Sequence, residues 1–120
     1  MQLMENDPRR RVLQVTTTAG SRGEAERLGL CMVERRLAAC AQVHGPINST
    51  YRWKGEIQTA EEWVLLLKTT LAHTGELIAA VRAEHSYETP DIVAVEIAGG
   101  LDSYLAWIAE ETGPEAEKSA

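Results

Sequence analysis

Residues 38–70 read AACAQVHGPINSTYRWKGEIQTAEEWVLLLKTT, and this stretch decides the fold. Trp53-Lys54-Gly55-Glu56 marks a tight turn in its middle. Lys54 and Gly55 fill a two-residue loop, where glycine supplies the positive φ that such a loop needs. Ahead of the turn, Ala41, Val43, Ile47, Tyr51 and Trp53 fall on one face, and Gln42, His44, Asn48, Thr50 and Arg52 on the other. That alternation predicts a strand with one wetter side. Pro46 donates nothing to a ladder, so a bulge or bend is expected at Gly45-Pro46. After the turn a polar run leads into Trp63-Val64-Leu65-Leu66-Leu67, which is apolar on both faces. A strand of that kind is buried on both faces.

Each arm holds roughly 15 residues and reaches roughly 50 Å. A compact domain of this length has a diameter of only about 35 Å. The hairpin is therefore expected to project from its own domain. An exposed two-stranded arm ending in Tyr51 and Trp53 is an aggregation hazard unless other copies of the chain pair with it in a closed ring. The expectation is a symmetric homo-oligomer.

Outward from the hairpin, Val12-Leu13-Gln14-Val15-Thr16-Thr17 is β-branched and apolar and reads as a strand that stops at Ala19-Gly20. Ser21, with Glu24 three residues on, forms a capping box for a helix running to about Arg36. Ala25, Leu28, Gly29, Met32 and Val33 make its apolar stripe. On the other side of the hairpin, Thr74 reads as the N-cap of a second helix, with Leu77, Ile78, Ala80 and Val81 inward and an end near His85, ahead of Pro90. Ile92–Ile97 is the fourth strand, broken by Gly99-Gly100. Asp102 caps a last helix that points Tyr104, Leu105, Trp107 and Ile108 at the core. The order β-α-β-β-α-β plus a C-terminal helix is an α+β, ferredoxin-like pattern, with both long helices on one face of a four-stranded antiparallel sheet and the other face bare.

The composition supports one domain of 120 residues with a 44% hydrophobic share and a net charge of −6. An acidic chain is a poor partner for a phosphate backbone, so no nucleic acid is expected. The run Arg9-Arg10-Arg11 reads as a solvated tail. No apolar stretch approaches a membrane span and no signal-peptide pattern is present. Cys31 and Cys40 match no zinc or redox spacing and read as buried thiols. Together these set the expectation of a cytoplasmic protein without a membrane partner.

No G-x-S-x-G, Walker A, G-x-G-x-x-G or H-E-x-x-H motif occurs, and an enzyme is not expected. The richest polar cluster is Glu84-His85-Ser86-Tyr87-Glu88-Thr89-Pro90, where a helix gives way to a strand. His85 can cap the helix as a cation. Alternatively Glu84 and His85 can contribute to a metal site, since imidazole and carboxylate suit zinc or copper. Lys68 is a candidate for an anionic ligand at a subunit boundary, against the reading of a snorkelling surface lysine.

Five stretches carry a family resemblance: Glu34–Ala41, Tyr51–Ile57, Leu66–Thr70, His85–Asp91 and Tyr104–Ile108. In this order and spacing the chain resembles the CutA (CutA1) family of divalent-cation tolerance proteins, over about Val12 to Glu111 of a single 1–120 domain. The resemblance implies a ferredoxin-like homotrimer built through the long strands, with Tyr51, Trp53 and Trp63 at the trimer interface. It also implies a likeness to the trimeric PII signalling proteins, an association with tolerance to copper and other divalent cations, and no established enzymatic activity. The described copper site of some members uses a cysteine at the end of the first strand and two adjacent histidines. Here those positions fall on Thr17 and on Glu84-His85. A weak Cu(II) or other divalent-cation site at Glu84 and His85 is one expectation, with no cofactor required. A PII-like sensor that binds a small anion between subunits through Lys68 and Tyr87 is the rival, and a trimeric interaction scaffold a third reading.

Overall fold

The computed structural model describes residues 7–114. The sequence reads as a polar lead-in over Met1 to Arg10 and a polar tail over Gly113 to Ala120, and of these residues 1–6 and 115–120 lie outside the described ones. The elements are β1 (Val12–Ala19), α1 (Arg22–Glu34), β2 (Cys40–Trp53), β3 (Glu56–Thr70), α2 (Leu71–Glu84), β4 (Ile92–Glu96) and α3 (Asp102–Glu111). One sheet in the order β2-β3-β1-β4 joins the strands, every pair antiparallel. This is the ferredoxin-like arrangement of two split βαβ units.

Register and alternation assign the two faces. Val15 lies opposite Leu67, Thr17 opposite Leu65 and Ala19 opposite Trp63. These side chains share one face, and α1 and α2 cover it with Ala25, Leu28, Met32, Leu77, Ala80 and Val81. Leu28, Leu65, Leu67 and Leu77 are fully buried in this core. Truncating any of them to alanine costs about 2–5 kcal/mol. Gly29 belongs to the same contact. A Cβ there would lie 2.9 Å from that of Ala41, so α1 seats against β2 only because the side chain is absent.

The second face carries Val64, Leu66 and Lys68 of β3, with Val93 and Val95 of β4. Part of it is roofed by α3, whose Tyr104 meets the Cys40 thiol at the start of β2. The rest has no cover among the described residues, where Val93 and Val95 are 58% and 56% exposed.

The hairpin forms as its pattern dictates. Lys54 and Gly55 both have positive φ, 51° and 81°, as a two-residue turn between twisted strands demands. The register slips between His44 and Ile47, placing a bulge at Gly45-Pro46, where the peptide bond is cis. Gly45 has φ 154°, and a Cβ there would come within 2.8 Å of the Trp63 ring. The arm makes the molecule elongated, 50 × 26 × 21 Å, with a radius of gyration of 15.4 Å. A compact chain of this length would have about 13–14 Å.

Five local expectations need correction. First, α2 starts at Leu71, with Thr70 in the N-cap position. Thr74 lies inside the first turn, and its hydroxyl donates back to the Thr70 carbonyl at 2.8 Å. Second, α3 begins at Asp102 itself after Leu101, so Asp102 is a first-turn acid rather than the cap. Third, Tyr104 and Trp107 are exposed and stack on each other with centroids 5.8 Å apart, leaving Ile108 as the fully buried residue of that helix. Fourth, Arg11 is no free tail. Its guanidinium donates to both Glu96 carboxylate oxygens, at 2.7 and 2.8 Å, and ties the entry of β1 to the end of β4. Fifth, Cys31 and Cys40 are free thiols and half-buried rather than fully buried.

Candidate functional site

The polar cluster singled out after α2 forms the densest hydrogen-bonded knot among the described residues. α2 ends at Glu84, and His85 follows with extended backbone, φ −77° and ψ 143°. That turn sends the imidazole inward beneath the end of β1, where its side chain has no exposure. Nε2 lies 2.8 Å from the Thr18 carbonyl. Nδ1 accepts the Tyr87 backbone N–H at 3.1 Å. The ring does not cap the helix. It pins the loop that follows.

The rest of the loop is held from three other elements. Glu24, in the first turn of α1, accepts the Ser86 N–H and the Ser86 hydroxyl, both at 2.9 Å. The capping box is thus only half local. The Ser21 hydroxyl accepts the Glu24 N–H, but the Glu24 carboxylate reaches across to another loop. Burial pushes the Glu24 carboxyl up, yet the two Ser86 bonds, with His85 and then Arg27 nearby, outweigh it and hold it below the ordinary 4.5. Asp91 closes the loop by accepting the Thr18 hydroxyl at 2.6 Å and the Thr18 N–H at 3.1 Å. The Tyr87 phenol donates to the Glu62 carboxylate at 2.8 Å. Burial, and then that bond to a carboxylate, push the phenol well above its ordinary 10.0. Glu62 is only 7% exposed and sits on β3 just beyond the end of β1, at the root of the arm. Tyr87 reaches it by crossing Gly20, where a Cβ would stand 3.3 Å from the phenol oxygen.

The structure separates most of the residues singled out from the sequence. Glu84 turns outward, with its carboxylate 3.8 Å from Arg27. Thr17 is fully buried, and its hydroxyl has no hydrogen-bond partner among the described residues. Lys68 lies on the second face, where its ammonium donates to Gln42 at 3.1 Å. It stands six β3 positions from Glu62, the partner of Tyr87, or roughly 20 Å along the strand. One chain therefore does not bring Lys68 and Tyr87 together. Tyr51 and Trp53 are exposed on the arm, with Lys54 lying over the Trp53 ring. Trp63 packs against the chain's own core and the bulge at Gly45. Glu24, Glu62, Asp91 and Thr18 were not singled out from the sequence. Of these Glu24 carried a signal as the acid of the capping box and Asp91 as the last residue of the His85–Asp91 stretch, while Glu62 and Thr18 carried none.

Two open grooves add little chemistry. One of about 570 Å³ lies between α1 and the start of β2, lined by Leu30, Val33, Cys40 and Val43. Its charged lining is Arg22 and Glu26, one of each sign. The other, about 390 Å³, lies beside the Arg11–Glu96 pair. Among the described residues no three or more His, Cys, Asp or Glu side chains are grouped to hold a metal ion. No described helix is long and apolar enough to cross a membrane.

Known proteins resemble this chain throughout its folded part. A family model described as CutA1 divalent ion tolerance protein matches residues 13–111. A divalent-cation tolerance protein CutA of Thermus thermophilus is 41% identical over 99 residues, covering 82% of this chain and 96% of the relative. A chloroplastic CutA protein of Arabidopsis thaliana is 35% identical over 98 residues, and the match spans 82% of this chain but 54% of that longer relative. The crystal structure of CutA from Xylella fastidiosa superposes with a TM-score of 0.83 at 37% identity, over 86% of this chain and 99% of the other.

Proposed function

The chain belongs to the CutA1 family of divalent ion tolerance proteins, and on that premise we propose that it serves divalent-cation tolerance as a non-catalytic homotrimer. One observation carries the assembly. The chain leaves an apolar sheet face open at Val93 and Val95 and extends a long arm, ending in Tyr51 and Trp53, beyond its own body. Surfaces of this kind are covered by copies of the same chain in closed rings. Trp63 then supports the arm from beneath, while Tyr51 and Trp53 are the anchors that meet a neighbour. The two unpaired thiols fit a reducing compartment, and we place the protein in the cytoplasm.

Copper is the cation to try first, because the family resemblance points to it. Light scattering should give about three times the chain mass of 13.2 kDa. Expression in a bacterial strain lacking its own family member should restore growth under copper(II) challenge. A single-chain mass, or no effect on growth under copper, zinc or cobalt, would overturn the reading.

Lys68 favours a second reading. It is a cation on the face that copies would share, bonded there to a neutral amide rather than to a carboxylate. A small anion held between Lys68 of one copy and Tyr87 of another would make the protein a PII-like sensor. A rise in melting temperature with an anionic metabolite, lost in Lys68→Ala, would select it.

A further inference from the structure

An imidazole ligates a cation through a ring lone pair, and a neutral ring has one lone pair and one N–H. At His85 the Tyr87 N–H points at Nδ1 from 3.1 Å, so the lone pair is there. The proton is then on Nε2, which faces the Thr18 carbonyl at 2.8 Å, an acceptor that matches it. Both nitrogens are engaged by backbone, inside the protein. The other members of the implied donor set fit no better. The Glu84 carboxylate is turned out toward Arg27, and Thr17 offers a hydroxyl enclosed in the core. Glu24 Oε2, 3.7 Å from Nδ1, is already bonded to Ser86. The residues present do not fit a copper or zinc ion at this place.

We infer that His85 is a positioning residue and that this chain does not take its divalent cation there. The imidazole joins two backbones that no strand pairing joins: Thr18 of β1 and Tyr87 of the loop before β4. With the Tyr87 amide fixed, its phenol is aimed across Gly20 at Glu62, and the loop is locked to the root of the arm. The inference stands on hydrogen-bond geometry and is independent of which cation the family role concerns.

The test uses the full ¹⁵N-labelled chain. Nuclear magnetic resonance of the His85 ring should show a pyridine-type Nδ1 and a pyrrole-type Nε2 at neutral pH, unmoved by equimolar Zn(II). Calorimetric titrations with Zn(II) and Cu(II) should be the same for the native chain and for His85→Gln. In His85→Ala the Tyr87 amide should exchange with solvent roughly tenfold to a hundredfold faster, as expected when a buried pairing is lost. His85→Gln, whose side-chain amide can still donate to the Thr18 carbonyl, should recover part of that protection. Should the alanine variant fail to fold, the glutamine variant and the ring spectra carry the test. Any one of three results would overturn the inference: ring resonances that move to metal-bound positions, saturable binding of one cation per chain that disappears in His85→Gln, or a proton found on Nδ1.

Discussion

The arm and the loop at its root solve the same problem in opposite ways. From Asn48 to Thr59 the hairpin is exposed almost throughout and carries Tyr51, Trp53 and Ile57 with little of its own chain to rest on. The loop from His85 to Asp91 is just as irregular as a loop can be, yet β1, α1 and β3 all reach it with hydrogen bonds. An irregular backbone is held by polar partners from the same molecule, whereas a regular ladder satisfies its own backbone and leaves side chains free to meet something else. The arm is regular and incomplete. The loop is irregular and complete.

The largest way to break this contrast is at the open face. Val93→Glu with Val95→Glu puts two carboxylates on the open face where copies are proposed to meet. Light scattering should then report a single chain of 13.2 kDa, with its far-ultraviolet dichroism little changed. Retention of the oligomer would place the interface elsewhere. Next is the joint between the two regions. Gly45→Ala adds a methyl 2.8 Å from the Trp63 ring at a positive φ. Overpacking and strain together should cost roughly 3 kcal/mol in denaturant unfolding, and a neutral result would mean that the bulge relaxes freely.

Smaller effects should sharpen the reading of the loop. Tyr87→Phe leaves the Glu62 carboxylate buried without its phenol and should cost about 1–3 kcal/mol. The sign of the pH effect follows from the raised phenol. Its contribution is intact below the ordinary 10.0 and is lost as pH rises from there toward the folded value. Thermal melts should thus fall in alkali for the native chain and fall less for Tyr87→Phe. Glu24→Gln is the mildest change, about 1 kcal/mol. Its carboxyl is lowered in the fold, so its contribution is present above the ordinary 4.5 and is lost as pH falls through the folded value. The variant should show a shallower acid limb, and an unchanged limb would mean that Ser86 does not depend on the charge.

The arm was legible in the sequence because period-two alternation and a Lys-Gly turn are local signals. So was the bulge, since Pro46 has no N–H to give the ladder, and the register shifts there. Thr74 misled because β3 passes straight into α2. With no linker between them, the cap position falls on a strand residue, and a threonine that bonds back to Thr70 mimics an N-cap. Tyr104 and Trp107 misled because helical spacing marks an apolar side without saying whose atoms will cover it. The loop was noticed for its composition, but its partners lie 25 to 73 residues away, at Glu62, Glu24 and Thr18. A single sequence gives no sign of such pairings. His85 could be read as cap or as ligand until both ring nitrogens had named partners.

The junction at Thr70-Leu71 has a mechanical consequence. Residues 56–84 form one piece, fifteen in strand and fourteen in helix, with no slack between them. The tip of the arm is the free end of that piece and His85 follows its other end. A push that tilts the hairpin against a neighbour cannot be absorbed by a flexible connector, because none exists. It must either bend the sheet or travel along β3 to the first turn of α2. The molecule is in this sense a lever with its handle outside the body, and the hydrogen bonds around His85 and Glu62 clamp it at the pivot.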